Sequence, residues 1–270
     1  MIAYQEDITP EIADEMLSKN MSNRPIRLDY CKALARDMIN GKFVQNGDAI
    51  RFDENGNLID GQHRLTAIKI AGVTIKNQLI IRGLGLDAFD TIDSGVPRTN
   101  ADRLKCAGVK HYFAIAATCR VRLCYDNGDM HLKRRLTRSE IIDVEKAHSD
   151  ILQKAYTMSH QIYKEIGGAL SVLMAVISFA LEYNEAKTKE FVERVATGAN
   201  IQEGDPEFAY RSIVIRNAMF NKRKSLSPAY QMQLLIRAVN KAFKGERCKI
   251  LRWSEKEPAM DLYFRPVLSK

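Results

Sequence analysis

The stretch Gly56-Asn57-Leu58-Ile59-Asp60-Gly61-Gln62-His63-Arg64-Leu65-Thr66-Ala67 decides how this chain reads. Asn57 to Ile59 end a short apolar strand, Gly61 permits a backbone conformation that a side chain resists, and Arg64 to Ala71 has helical periodicity. A strand therefore hands over to a helix at the glycine, and the first amides of that helix have no intrahelical acceptors. Helix starts of this kind favour anions. Arg64 adds a rigid fork of donors, and His63 a donor whose charge changes near neutral pH, a pair suited to a polyphosphate. The competing reading of the same spacing is a strand-turn-helix carrying two solvated polar residues.

The neighbouring segments predict the frame around this turn. Pro10 to Ser18 reads as a helix capped by Thr9, and Leu28 to Asn40 as a second helix ended by Gly41. Ala49 to Asp53 and Asn57 to Ile59 flank Glu54-Asn55-Gly56, where Asn-Gly signals a hairpin. The alternating run Ile75 to Arg82 predicts a strand returning to the sheet, closed by Gly83-Leu84-Gly85. Together these make a small α+β domain. Before the second helix, Asn23-Arg24-Pro25-Ile26-Arg27 offers two arginines, of which Arg24 is the stronger ligand candidate. After the last strand, Asp90, Asp93, Arg98 and Asp102 gather around Gly95 and Pro97. Thr99 and Asp102 read as helix caps, Asp93 as a holder of Mg²⁺ or of a hydroxyl, and Arg98 as a phosphate partner. Asp60 is the alternative acid, with a structural role in tying the turn's amides together.

Asp60-Gly61-Gln62-His63-Arg64-Leu65-Thr66-Ala67, followed by Ala71-Gly72-Val73 and the strand Asn77 to Arg82, resembles the core motif of the ParB and sulfiredoxin superfamily. The likeness covers the chain up to about residue 100. In that family the turn grips nucleotide phosphates, CTP in ParB proteins with a Gly-Glu-Arg-Arg turn and ATP in sulfiredoxins with a Gly-Cys-His-Arg turn. The resemblance implies Gly61, Gln62, His63 and Arg64, with Arg24 and Arg98, as the set that binds NTP, either ATP or CTP. It also implies Mg²⁺ at Asp93, and Asp60, Asp93 and His63 as the catalytic candidates. Gln62 stands where sulfiredoxins carry the reactive cysteine, which removes peroxiredoxin repair, and ParB's second arginine is missing. No glutamate matches the catalytic acid of ParB-like free-serine kinases, since Glu54 belongs to the hairpin turn. The spelling Asp-Gly-Gln-His-Arg, with Ile92-Asp93-Ser94-Gly95-Val96-Pro97-Arg98-Thr99, looks most like ParB-like proteins of phages and prophages.

The 270 residues, 46% of them hydrophobic, are enough for two modest cores. The division expected is 1–106 for the ParB-like domain and 107–270 for a basic helical domain. No apolar run reaches the roughly 18 to 20 residues of a membrane span, the nearest being Ile166 to Leu181, so no membrane partner is expected. Met1 to Met16 carries five acidic residues and no basic one, unlike a signal or targeting peptide. Five cysteines without a Cys-x-x-Cys spacing point to buried thiols in a reducing cytoplasm. Cys119 and Cys124 with His111 and His131 fit no standard zinc spacing.

The net charge of +8 is uneven. Residues 1–102 hold 12 basic and 15 acidic side chains, whereas 103–138 hold 9 and 2, and 201–270 hold 14 and 7. Lys133, Arg134, Arg135 and Arg138 form one dense cluster and Lys222, Arg223 and Lys224 another, the kind that attracts phosphate backbones without reading sequence. A solvated surface or an acidic protein partner are the other readings of such clusters.

From Ala107 onward the periodicity predicts helices over 112–125, 137–147, 149–165, 168–184, 187–197, 207–222 and 228–244. Trp253, beside Lys249 and Arg252, reads as an anchor for the tail, with base stacking as the alternative. The function these features predict is Mg-dependent phosphoryl chemistry on an NTP, by hydrolysis or transfer, in association with DNA. The alternatives are a non-catalytic nucleotide-switched DNA-binding protein and a ParB-like nuclease. A second copy of the chain, as a homodimer, completes the expected partners.

Overall fold

The computed structural model describes residues 1–267 except 22, 86–98, 221–225 and 255. Its class is α+β: a four-stranded mixed sheet and ten helices among the described residues. The chain divides into two compact units, Met1–Arg98 with Arg135–Ser139, and Thr99–Arg134 with Glu140–Lys270.

In the first unit the strands are β1 (Ile2–Ile8), β2 (Ile50–Asp53), β3 (Leu58–Asp60) and β4 (Ile75–Leu84), in the spatial order β1-β4-β2-β3. β2 and β3 form the antiparallel hairpin that Asn55-Gly56 predicts, and β2 runs parallel to β4. β1 pairs antiparallel with β4, from Ile2 opposite Arg82 to Ile8 opposite Ile75. This strand was not expected from the sequence. Its first six residues are exposed or half-buried and carry Gln5 and Glu6, so it lacks a clean apolar alternation.

Of the helices α1 (Pro10–Ser18), α2 (Leu28–Ile39) and α3 (Gln62–Ala71), α3 packs against both of the others. Thr9 caps α1 by accepting from the Ile12 amide at 3.3 Å. Ile8, Met16, Cys31, Met38, Ile50, Phe52, Leu58, Leu65, Ile68 and Ile80 make one core under the sheet and these helices. Each large aliphatic or aromatic side chain there contributes about 1.5–3 kcal/mol by leaving water. That core anchors both flanks of the Gly61 turn, because Leu58 precedes it and Leu65 follows it.

The first unit is completed from far along the chain. Arg36 donates to the Arg135 carbonyl at 2.9 Å, and the Asp37 carboxylate accepts from Thr137 Oγ1 at 2.9 Å and from the Ser139 hydroxyl. Arg135 lies over the Tyr30 ring, 5.0 Å from its centroid. Residues 135–139 thus form a strap on α2.

The second unit holds α4 (Asn100–Cys106), α5 (Tyr112–Asp126), α6 (Arg138–Ile166), α7 (Leu170–Tyr183), α8 (Glu185–Thr197), α9 (Pro206–Phe220) and α10 (Pro228–Lys244), with the first turn of α6 counted in the first unit. Thr99 and Asp102 cap α4 reciprocally, as their spacing predicts. α7 is the central element, buried from Val172 to Leu181, and fourteen residues long. No helix among the described residues is long and apolar enough to cross a membrane. The two helices expected over 137–165 are one 29-residue helix with non-helical angles at His148 (φ −129°, ψ 19°), the position where the sequence reading broke them. Cys31, Cys119, Cys124 and Cys248 are buried, Cys106 exposed. Burial pushes the Cys119 thiol up to about 12.

The tail after α10 is sewn back by polar contacts. The Tyr125 hydroxyl donates to the Arg265 carbonyl at 2.6 Å and accepts from the Leu262 amide at 2.9 Å. Asn240 bridges the Asp261 carbonyl and the Tyr263 amide. Trp253 is buried beside Tyr230 and His131, its indole donating to the Glu257 carbonyl, so it anchors the tail.

Candidate functional site

β3 ends at Asp60, and Gly61 turns the chain with φ 105° before α3 begins at Gln62. A Cβ on Gly61 would lie 3.0 Å from Ile50 Cγ1 and 3.3 Å from its Cα, so glycine is required twice, for the left-handed backbone and for the close approach of β2. No side chain caps α3. The amides of Gln62, His63 and Arg64 meet no acceptor among the described residues, which leaves the positive end of the helix without a counter-charge from the chain.

Asp60 ties the turn from below. One oxygen accepts from the Gly61 amide at 2.7 Å and the other pairs with Arg51 Nη1. Arg51 and Asp60 are cross-strand partners in the hairpin, so the pair follows from register. With both oxygens engaged, Asp60 is poorly placed to take a proton or bind a cation.

Gln62 is 4% exposed and points inward. Its Nε2 donates to the Arg24 carbonyl at 2.7 Å, and its Oε1 accepts from Asn20 at 3.0 Å. Asn23 adds bonds of 2.6 Å to Asn20 and to the Leu58 carbonyl. The amide therefore holds the loop before α2 against the start of α3.

His63 is 8% exposed, and its Nε2 accepts from the Arg27 amide at 3.1 Å. An accepting Nε2 requires the neutral ring with the proton on Nδ1. Burial, then the nearby Arg24 and Arg27 cations, hold its pKa below the ordinary histidine value. Where the sequence suggests a donor whose charge changes near neutral pH, the folded chain has a neutral acceptor that fixes the entry to α2. The edge of its ring meets Tyr30 at 5.7 Å.

Arg64 is mostly buried and donates to the Asp48 carbonyl at 2.8 Å, with the Asp48 carboxylate 4.0 Å away. Burial lowers its pKa and Asp60 and Asp48 oppose that effect, so the guanidinium stays charged. Arg24, Arg27 and Arg135 are exposed, and all three act electrostatically on His63. The charges acting on His63 and Arg64 thus include Arg24, Arg27, Arg51 and Arg135 against Asp48 and Asp60. An excess of guanidinium beside an uncapped helix start can hold the oxygens of a phosphate or polyphosphate.

The turn thus brings together Arg24, Asp60, Gly61, Gln62, His63 and Arg64 of the residues picked out by sequence. Asp93, Arg98, Lys222, Arg223 and Lys224 lie outside the described residues. The run at 133–138 is divided: Lys133 and Arg134 belong to the second unit, Arg135 and Arg138 to the first. The Arg134 amide is taken by the Asp129 carboxylate. Sequence reasoning missed Asn20, Asn23, Arg51 and Asp48, and did not link Arg135 to the turn. Among the described residues no group of three His, Cys, Asp or Glu side chains is arranged to hold a metal ion. Searches of protein-family models, curated proteins and solved structures return no match to this chain.

Proposed function

We propose that the first unit is a ParB/sulfiredoxin-like domain that binds the phosphates of an NTP, ATP or CTP, and serves as a nucleotide-dependent switch in a protein that works on DNA. The observation that carries this reading is the uncapped start of α3 at a glycine that cannot be replaced, with Arg64 beside it and exposed Arg24, Arg27 and Arg135 around His63. The motif supplies the resemblance, and the exposed guanidiniums supply the chemistry.

Binding is better supported than turnover. Asp60 is occupied by Arg51 and the Gly61 amide, and His63 is occupied as an acceptor, so neither is free to relay a proton. Among the described residues no group of three His, Cys, Asp or Glu side chains forms an Mg²⁺ site of its own. An ion arriving with the nucleotide would be held by its phosphates.

Thermal unfolding with ATP, CTP, GTP and UTP, each with Mg²⁺, tests the reading. A nucleotide at 100 times its Kd adds about 2.7 kcal/mol of stability. The expected result is a rise in Tm with one nucleotide, abolished in Arg24→Ala/Arg27→Ala, with no phosphate released above background. Phosphate release that depends on the same arginines would favour phosphoryl transfer over the switch. No shift with any nucleotide would remove NTP binding.

A further inference from the structure

A second basic site is built into the other unit. On α10, Arg237, Lys241 and Lys244 stand at i, i+4 and i+7 and share one face, while Leu234, Leu235, Ala238, Val239 and Phe243 are buried in the core. The tail passes alongside, and Arg252 reaches the same place from it. Together they line a cavity of about 260 Å³ whose walls also include Ile250, which is 76% exposed, and Met260. Lys241 pairs with Glu246 at 3.4 Å, Lys244 lies over the Tyr263 ring, and Arg237 is held by Gln233 Oε1 at 2.6 Å. Arg252 has no partner among the described residues. Four cations thus face one carboxylate in the lining.

Complementing the helix dipole accounts for Lys241 and Lys244, which lie in the last turn of α10. It does not account for Arg237, nearly two turns earlier, or for Arg252, which belongs to another segment. From Arg237 to Lys244 the helix advances by about 10.5 Å, the axial length of roughly three phosphates on one strand of a duplex. The chain from 201 to 270 holds 14 basic and 7 acidic residues, so the field around the groove has the same sign as the groove.

We propose that this groove, lined by Arg237, Lys241, Lys244 and Arg252, is a nucleic-acid site that grips the phosphate backbone without reading bases. It is separate from the Gly61 turn and does not depend on nucleotide binding there. Arg237 is fixed by its side-chain bonds and sets the register, while the other three cations neutralise phosphates.

The test uses the full chain and a fluorescein-labelled random-sequence duplex, titrated from low to high salt. Each phosphate contact contributes about 0.9 to the slope of log K against log salt. Lys241→Gln/Lys244→Gln/Arg252→Gln is expected to keep its Tm within a few degrees, to flatten the slope by about two to three, and to weaken binding roughly ten-fold or more at low salt. A folded triple variant with unchanged slope and affinity would overturn the site. Equal loss in Lys154→Gln/Lys164→Gln/Lys189→Gln would reduce it to net charge and overturn it as well. Competition by poly-glutamate as strong as by unlabelled duplex would give the groove to acidic proteins instead. Loss in Arg24→Ala/Arg27→Ala with none in the groove variant would move nucleic acid to the first unit, whereas failure of nucleotide to raise Tm leaves this titration unaffected.

Discussion

Two groups of arginines in this molecule have opposite fates. Around the Gly61 turn, Arg24, Arg27 and Arg135 are exposed and act electrostatically on His63. In the second unit, Arg122 is 0% exposed and bound to Ser178 and to Glu182 at 2.6 Å. Arg265 reaches the same Glu182 and also Asp126, each at 2.9 Å, and His148 Nδ1 lies 3.2 Å from Glu182. Arg122 and Arg265 both sit over Phe179, 4.2 and 4.3 Å from its centroid. There the charges are consumed by one another, and the product is architecture. At the turn the guanidiniums are exposed beside helix amides that meet no acceptor among the described residues, and under the proposed reading the product is a place for an external anion.

The strongest way to break this contrast is Glu182→Ala. It strips Arg122 and Arg265 of their shared carboxylate, and a buried guanidinium without its counter-charge is expected to cost about 3 kcal/mol, read as a lower urea midpoint with unchanged m. A loss under about 1 kcal/mol would put both clusters in the same class. Gly61→Ala comes next, at about 2 kcal/mol, because it adds a left-handed alanine and a contact with Ile50. A neutral result would mean that the turn relaxes freely and is not built for a ligand.

Acid sharpens the comparison further. Folding depresses the pKa of His63, so just below the unfolded value of about 6.5 the unfolded chain binds more protons. Stability from the neutral ring is therefore complete above that pH and is lost as pH falls through the window. His63→Gln is expected to flatten the Tm profile on the acid side, leaving the part due to His148, whose pKa is also depressed by burial and by Arg122. The smallest effect is on the stability of Arg24→Ala and Arg27→Ala, within about 0.5 kcal/mol by urea titration, since both side chains are exposed. A larger loss would make them structural, like Arg122.

Much of the first unit was legible because its signals are local. Thr9, Asn55-Gly56 and Gly61 each mark an element boundary through a conformational rule that needs no tertiary knowledge. The helices from α5 to α10 were legible from period, and the break at 148 appears as the kink at His148. What escaped depends on partners far along the chain. β1 is a strand because β4 pairs with it some 70 to 80 residues later. At the turn, Gln62 and His63 were visible as polar residues, but the Asn20 amide, Arg24 carbonyl and Arg27 amide that turn them inward could not be inferred from spacing. Arg51 was recoverable, since the hairpin register sets it opposite Asp60. The cationic stripe on α10 was recoverable too, from the spacing of 237, 241 and 244.

The strap of residues 135–139 bears on the order in which the protein is made. Asp37 and Arg36 emerge early from the ribosome, but their partners Thr137, Ser139 and Arg135 follow about a hundred residues later. The strap cannot close on α2 until the opening helices of the second unit have been synthesised, so a nascent chain released after residue 106 would carry the Gly61 turn without Arg135. Under the proposed reading, nucleotide affinity measured on such a fragment would be that of a site still under construction.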